Sequence, residues 1–209
     1  MDYSKYLLKR VTGPADEYDY EMILNTFFKD CEKILDIGCG RGNFINFSNK
    51  RKSVYGIDID KNMVKFCSKR GLKVKFGNIT KIPFRDKFFD GIYCRHVVEH
   101  LDRDELIKAS EEIYRVLKNN GFCIIITPNF IYDIKEFYSD PTHVSPFTEK
   151  RAKLLFNRFK EVKVTYHPYY IPKIKGLLLK YLKMPKLYDL FLKIIPLRSK
   201  KELWIIVRK

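Results

Sequence analysis

Short apolar runs alternate with amphipathic segments along most of the chain. The runs are rich in Val, Ile, Phe and Tyr and are bounded by Gly, Asn or Pro, which is typical of buried strands. Five of them cover residues 33–39, 53–59, 72–78, 90–96 and 122–128, and two later ones cover 161–167 and 202–209. Because the earlier strands alternate with helical segments, the pattern predicts an α/β fold with a doubly wound, mostly parallel sheet and helices on both faces.

Among the segments between these strands, the one after the fourth strand has residues that predict both ends of a helix. Asp102 and Glu105 have the spacing of a capping box, and Gly121 is expected to end the helix that they begin. At 209 residues the chain is expected to form a single domain over 1–209, with a helical segment at 1–30.

The charge of the chain is positive and unevenly distributed. Residues 151–209 contain 16 basic and 3 acidic side chains and so carry +13 of the net +16. An excess of this kind favours an acidic partner, either a nucleic acid or an anionic membrane surface. Five cysteines without a CxxC pair indicate reduced thiols and a cytoplasmic protein, and no signal peptide or membrane-spanning run is apparent.

The segment LDIGCGRGNF follows the first predicted strand, at the sheet edge where such folds bind ligands. Gly38, Gly40 and Gly42 allow the backbone to approach a ligand closely. Asp58 ends the second strand about 20 residues later, the distance at which a carboxylate can accept ribose hydroxyls. These features predict a nucleoside-containing cofactor and leave a nicotinamide or flavin cofactor open.

The segments ILDIGCGRGNF, YGIDID, GNITKIPF, FFDGIYCRHVVEHL and YRVLKNNGFCIIITPN resemble, in order and spacing, the successive motifs of class I S-adenosylmethionine-dependent methyltransferases. The resemblance covers roughly residues 30–150 and implies a Rossmann-like sheet of seven strands, the last antiparallel, with S-adenosylmethionine bound within residues 31–150. Asn78 departs from the more frequent Asp of these motifs. The cofactor-binding residues implied by the resemblance are Asp36, Gly38, Cys39, Gly40, Asp58, Ile59, Asn78, Ile79 and Arg95.

The segment CRHVVEHL contains His96, Glu99 and His100, which would share one face of a helix at spacings i, i+3 and i+4. His143 follows in a Pro-bounded loop. This arrangement is similar to that of ubiquinone-pathway O-methyltransferases and small-RNA 3′-terminal 2′-O-methyltransferases, in both of which a divalent metal is associated with activity. The small-RNA enzymes also share a Thr-Pro-Asn-Phe element, which is present here as Thr127 to Phe130.

The resemblance implies a metal site formed by His96, Glu99, His100 and His143, with His96 in place of a carboxylate. A set with three imidazoles favours zinc, manganese or iron over magnesium. The alternative is that Glu99 and His100 only pack the chain after the fourth strand, as in methyltransferases without a metal. His143 or His100 would then be the catalytic general base. His167 is interpreted as structural.

The sequence says less about the methyl acceptor than about the cofactor. No Asn-Pro-Pro-Tyr or Asp-Pro-Pro-Tyr tetrapeptide and no Pro-Cys pair follows the fourth strand, which favours an oxygen acceptor over base nitrogen or pyrimidine carbon. We expect a small or lipid-linked acceptor. An RNA 2′-O-methyltransferase and a non-catalytic cofactor-binding subunit are the alternatives. Residues 168–201 are predicted to form a basic amphipathic insertion between the last two strands, whose residues 173–197 contact a membrane surface peripherally.

Overall fold

The computed structural model describes residues 14–132, 134–167 and 199–209. The predictions for residues 1–13, for most of the insertion at 168–201 and for membrane contact through 173–197 lie outside these ranges. Seven strands are present: β1 (Lys33–Ile37), β2 (Ser53–Asp58), β3 (Val74–Phe76), β4 (Phe89–Arg95), β5 (Leu117–Pro128), β6 (Glu161–His167) and β7 (Ser199–Arg208). The helices of the described residues are α1 (Pro14–Thr26), α2 (Asn43–Ser48), α3 (Lys61–Lys69), α4 (Arg103–Val116), α5 (Ile134–Ser139) and α6 (Glu149–Leu155).

The strands form one sheet in the order β3-β2-β1-β4-β5-β7-β6. Strands β1 to β5 pair in parallel, and β7 is antiparallel to both of its neighbours, β5 and β6. The predicted seven-stranded, mostly parallel sheet with an antiparallel last strand is therefore confirmed. The chain winds outward in opposite directions from β1 and β4, so the carboxyl ends of these two strands flank a crevice where ligands bind in such sheets.

The core lies on both faces of the sheet. On one face, Leu35 and Ile92 pack with Leu106 and Ile113 of α4. The other face is covered mainly by α1 and α2, whose buried apolar side chains are Tyr20, Ile23, Leu24, Phe44 and Ile45. The central strands are buried on both faces, which explains why their sequences are continuous apolar runs rather than alternating ones. None of the described helices is long and apolar enough to cross a bilayer.

The chain after β4 differs from the sequence prediction. No helix begins at His96; its φ of 55° reverses the backbone, and residues Val98–His100 form a single 3₁₀ turn. Helix α4 begins only after Asp102, whose side chain accepts the amide hydrogen of Glu105 while the Glu105 side chain accepts that of Asp102. The predicted capping box is thus present, and it sets the start of the helix.

Helix α4 also ends earlier than predicted, at Val116 instead of near Gly121. Leu117 already pairs with Phe89 of β4, and the register then shifts so that Phe122 pairs with Gly91. Leu117 is fully buried in this pairing, which favours strand over helix at this position. The strand therefore begins before Gly121, the residue predicted to end the helix. The division of the chain into segments 1–30, 31–150 and 168–201 stays a prediction.

Candidate functional site

A cavity of about 620 Å³ lies at the carboxyl ends of β1, β2 and β4. This volume falls within the roughly 300–1,000 Å³ that small-molecule and cofactor sites occupy. All nine cofactor-binding residues implied by the sequence line it: Asp36, Gly38, Cys39, Gly40, Asp58, Ile59, Asn78, Ile79 and Arg95. Side chains from three strand ends and the loops that follow them therefore meet at one site.

The loop between β1 and α2 forms one wall of the cavity. Gly38, Gly40 and Gly42 all have positive φ, at 69°, 50° and 70°, a conformation that side chains with a Cβ rarely adopt. A Cβ on Gly38 would lie 2.5 Å from Val97 Cγ2. A Cβ on Gly40 would meet no protein atom within 4 Å. The space beside Gly40 is thus open to a ligand, and the loop forms a cradle.

Asp58 links the end of β2 to this loop. One of its carboxylate oxygens accepts the amide hydrogen of Gly40 at 2.7 Å, and the other accepts that of Asp60 at 2.8 Å. Burial raises the pKa of the carboxyl, and the two backbone donors oppose this shift. Each oxygen keeps further acceptor capacity, so a pair of hydroxyl donors in the cavity can bind to it.

Asp36 is the second acidic group of the cavity. It lies beside Tyr93 of β4 and Gly56 of β2 in the sheet register and is almost fully buried. Burial, with a smaller contribution from Asp58, raises the pKa of its carboxyl well above the ordinary value. A cationic group entering this end of the cavity would therefore stabilise the ionised form of Asp36.

The other end of the cavity is more apolar. Ile59 is 64% exposed and Ile79 is buried, and both line the cavity beside Asn78. The Asn78 side-chain oxygen accepts the Thr80 amide hydrogen at 2.9 Å. Its NH₂ group is thus the part of the amide that can donate to a ring nitrogen.

Arg95 builds the cavity wall through ion pairs. Its guanidinium lies 2.9 Å from Glu202 on β7 and 3.5 Å from Asp16 on α1. Tyr20, on the same helix as Asp16, also lines the cavity. The guanidinium thus already forms ion pairs with two carboxylates. Through these pairs, Arg95 connects α1 and β7 to the end of β4.

His96 is held between two carboxylates. Its Nδ1 lies 3.0 Å from Glu99 Oε1, and its Nε2 lies 3.3 Å from Glu202 Oε1. Burial lowers the pKa of His96, but the hydrogen bonds to Glu202 and Glu99 outweigh it, so that the pKa is raised. Both ring nitrogens thus already have a carboxylate partner. The group of possible metal ligands that the described residues form does not include His96.

The other three predicted metal ligands do come together. Each of Glu99, His100 and His143 offers one ligand atom, and these atoms lie within 4.8 Å of one another. Glu99 is fully buried, and its Oε2 accepts the Thr127 hydroxyl at 3.1 Å. We call these three residues the Glu-His-His cluster. The rings of its two histidines are 4.9 Å apart.

The hydrogen bonds of the two histidines fix their tautomers. His143 Nδ1 lies 2.8 Å from the carbonyl oxygen of Phe137 and must therefore carry the proton. His100 Nδ1 lies 3.2 Å from the Thr142 carbonyl oxygen and 3.0 Å from the Thr142 hydroxyl, which itself donates to Asp140 at 2.6 Å. His100 Nδ1 is thus also the donor. In the neutral state both rings present the lone pair of Nε2.

Several residues of the site were missed by the sequence reasoning. Asp140 and Thr142 had a local signal, since Asp140 accepts the amide hydrogen of Thr142 in a turn of the kind that Asp initiates. Glu202 and Asp16 had none, because only the tertiary fold brings Asp16 of the first helix to the cavity and Glu202 of the last strand to Arg95 and His96.

Comparison with known proteins agrees with this geometry. A family profile described as methyltransferase domain matches residues 35–125. A crystal structure of a SAM-dependent methyltransferase from Archaeoglobus fulgidus superimposes with a TM-score of 0.76 at 25% identity and covers 100% of both chains. The chain belongs to the class I S-adenosylmethionine-dependent methyltransferases.

The curated relatives of this methyltransferase differ in their named activities. An uncharacterized protein of Methanocaldococcus jannaschii is 35% identical over 65% of this chain and 59% of its own length. A tRNA (carboxymethyluridine(34)-5-O)-methyltransferase of Arabidopsis thaliana is 36% identical over 44% of this chain and 23% of its own length. Other matches are named as C-methyltransferases of quinone or sterol biosynthesis. The chain thus spans less than two thirds of the length of each of these curated relatives.

The cavity of this methyltransferase fits S-adenosylmethionine, the cofactor of the family. The open space at Gly40 suits a close ligand, Asp58 suits the ribose hydroxyls, and Asp36 suits the cationic amino-acid end. The exposed side chain of Ile59 offers an apolar surface to the adenine ring. S-adenosylmethionine has no phosphate, and none of these residues requires one in the ligand.

We expect Asp58→Ala to weaken the binding of S-adenosylhomocysteine, the demethylated cofactor, by at least about tenfold. The reason is that each hydrogen bond to a charged acceptor contributes roughly 1.5–3 kcal/mol. Asp104→Ala, an exposed carboxylate in the first turn of α4, is the matched control and should bind normally. Calorimetry makes the comparison. An Asp58→Ala affinity equal to that of the control would remove Asp58 from the binding site.

Proposed function

We propose that this protein transfers the methyl group of S-adenosylmethionine to an oxygen atom of a small or lipid-linked acceptor. The observation that carries the proposal is the pair of imidazoles, His100 and His143: His100 lines the cavity, the two rings are 4.9 Å apart, and the hydrogen bonds of Nδ1 leave the lone pair of each neutral ring on Nε2. When bound, the cofactor supplies an electrophilic methyl group on a sulfonium. The protein then has to position the acceptor hydroxyl and remove its proton.

The two histidines are suited to proton removal. His100 and Thr142 line the cavity, and the His143 ring packs against that of His100. The Phe137 carbonyl oxygen and the Thr142 oxygens hold the Nδ1 protons, so that Nε2 is the atom that accepts a proton. Histidine is the side chain that most often acts as a general base in enzymes.

Cysteine is unsuited to act as the nucleophile. Cys94, at the end of β4, is fully buried, and burial raises the pKa of its thiol well above the ordinary value. Because a buried thiol of this kind is unreactive, Cys94 is unsuited to the covalent attack on a pyrimidine that carbon methylation of the base would require. The five cysteines are buried free thiols, which supports the proposed cytoplasmic location.

Apolar side chains beside His143 support an apolar or lipid-linked acceptor. They lie on the segment after β5 that also provides the Phe137 carbonyl oxygen. Their exposed fractions are between 53% and 70%, and the residues are Ile131, Tyr132, Ile134, Tyr138 and Val144. Exposed apolar side chains on the chain segment that carries His143 are the kind of surface that can bind an apolar ligand.

Transfer from methyl-labelled cofactor into fractionated cell extract tests the proposal. We expect label in the small-molecule or lipid fraction. We also expect His143→Ala to lower the transfer rate by about 10²–10⁴-fold, as for loss of a general base, while S-adenosylhomocysteine still binds. Label in RNA would contradict the proposed acceptor, and label in no fraction would indicate a non-catalytic cofactor-binding subunit.

A divalent metal at the Glu-His-His cluster is a second element of the proposal. The cluster has one carboxylate and two imidazoles whose Nδ1 groups donate to backbone or hydroxyl oxygens, which is the usual environment of metal-binding histidines. Such a set suits zinc, manganese or iron. A bound ion would polarise the acceptor hydroxyl. The proposed ligands are Glu99, His100 and His143, without His96.

If the cluster binds a metal, chelator-treated protein should take up one Zn²⁺ or Mn²⁺ per chain. His143→Ala should lower that occupancy to below about a tenth, since even outer-shell changes cost 10–100-fold in metal affinity. His167→Ala is the matched histidine control. Occupancy is measured by elemental analysis after dialysis. Full methyl transfer by protein shown to be metal-free would contradict a role for the ion and leave His143 as the base.

RNA 2′-O-methylation is the second candidate function. It is supported by the net charge of +16 and by relatives whose names place them on tRNA. The labelling experiment separates it from the first candidate, because the label then appears in RNA.

A further inference from the structure

Three aromatic rings cover one face of the sheet at its β2–β3 edge. Residues 77–88 join β3 to β4 without a helix, so this part of the sheet is covered by Tyr55, Phe84 and Phe88. The rings of Phe84 and Phe88 are stacked, with centroids 5.7 Å apart and planes at 20°. Tyr55 packs edge-on against both, at 5.8 and 5.6 Å. All three side chains are only half-buried.

Four cations lie directly over these rings. The distances from the charged group to the ring centroid are 4.4 Å for Lys75 over Phe84, 4.8 Å for Lys33 over Phe88, 5.2 Å for Lys73 over Tyr55 and 5.4 Å for Arg85 over Phe88. Lys73, Lys75 and Arg85 are exposed, and Lys33 is half-buried. We call these four cations and three rings the cation–ring surface.

The positive charge of this surface is not neutralised locally. Within the described part of the chain, none of the four cationic groups forms an ion pair with a carboxylate. The neighbouring carboxylate of Asp86 is 2.7 Å from Arg115 and is thus already paired. Four unpaired cations within one small area create a local positive potential that attracts anions.

We propose that the cation–ring surface binds single-stranded RNA. Phosphates would lie against the ammonium groups, and unstacked bases would stack on the exposed guanidinium plane of Arg85 and pack against the ring edges that the cations leave exposed. Single-stranded nucleic acid binds where cations that follow its backbone alternate with aromatic rings. A membrane-binding surface would need apolar side chains that protrude beyond the cations, whereas here the rings lie beneath them. The surface lies outside the cofactor cavity, so the inference does not depend on the identity of the methyl acceptor.

Fluorescence anisotropy with a labelled RNA of about 20 nucleotides, longer than typical site sizes, tests the inference on the full chain. The test variant is K73E/K75E/R85E. The control is K150E/K160E/K163E, which changes three exposed lysines at α6 and β6, near the opposite edge of the sheet, and alters the net charge equally. The neutral variant K73Q/K75Q/R85Q separates lost contacts from added repulsion. Unchanged binding of S-adenosylhomocysteine shows that each variant folds.

We expect the test variant to bind RNA at least about tenfold more weakly than the control at physiological salt. We also expect the slope of log K against log salt to fall by about 2, since each lost phosphate contact contributes about 0.7. The neutral variant should lose most of the same affinity. Equal losses in test and control variants would overturn the inference, because they would show a response to net charge alone. Wild-type protein that binds anionic vesicles or an acidic polypeptide but not RNA would overturn it as well.

Discussion

The hydrogen bond from the Gly40 amide to the Asp58 carboxylate joins the two elements that make the cofactor site. It connects the loop after β1 to the end of β2. The carboxylate keeps further lone pairs that can accept hydrogen bonds from a ligand. The loop can approach this carboxylate because Gly38, Gly40 and Gly42 adopt a left-handed conformation. The sheet topology brings β4 to the other side of the same crevice. The cavity, its acidic end and its apolar end all follow from this junction.

A second set of contacts places the cofactor cavity beside the proposed acceptor site. Glu202 accepts from Arg95 on the cavity wall and from His96, and His96 in turn contacts Glu99 of the Glu-His-His cluster. Buried polar groups need hydrogen-bond partners, so these side chains hold one another in place. His96 therefore has a structural explanation that differs from metal ligation. It lies between two carboxylates at the point where the chain leaves β4 and turns toward the cluster.

The sequence predicts that the proposed cofactor-binding residues lie close together, and they do line one cavity, since they follow strand ends that the apolar pattern locates. Asp36, Gly38 and Asp58 lie where a strand ends, and a parallel sheet brings such positions together. The acceptor half was harder to predict. His96 was expected on a helix face with Glu99 and His100, but its φ of 55° and the later start of α4 at the Asp102 cap turn it toward Glu202. The partner that decides its role comes from β7, about 100 residues away in the sequence. No local pattern reports such a contact.

The central claim is that the cavity binds S-adenosylmethionine and not a dinucleotide, for which the glycine loop alone would also be suitable. The most direct test is parallel calorimetric titration of the wild-type protein with S-adenosylhomocysteine and with NAD⁺. The geometry of Asp58, Gly40 and Asp36 predicts saturable binding of one S-adenosylhomocysteine per chain and no measurable binding of NAD⁺. Absence of S-adenosylhomocysteine binding, or NAD⁺ binding of equal strength at the same site, would contradict the account.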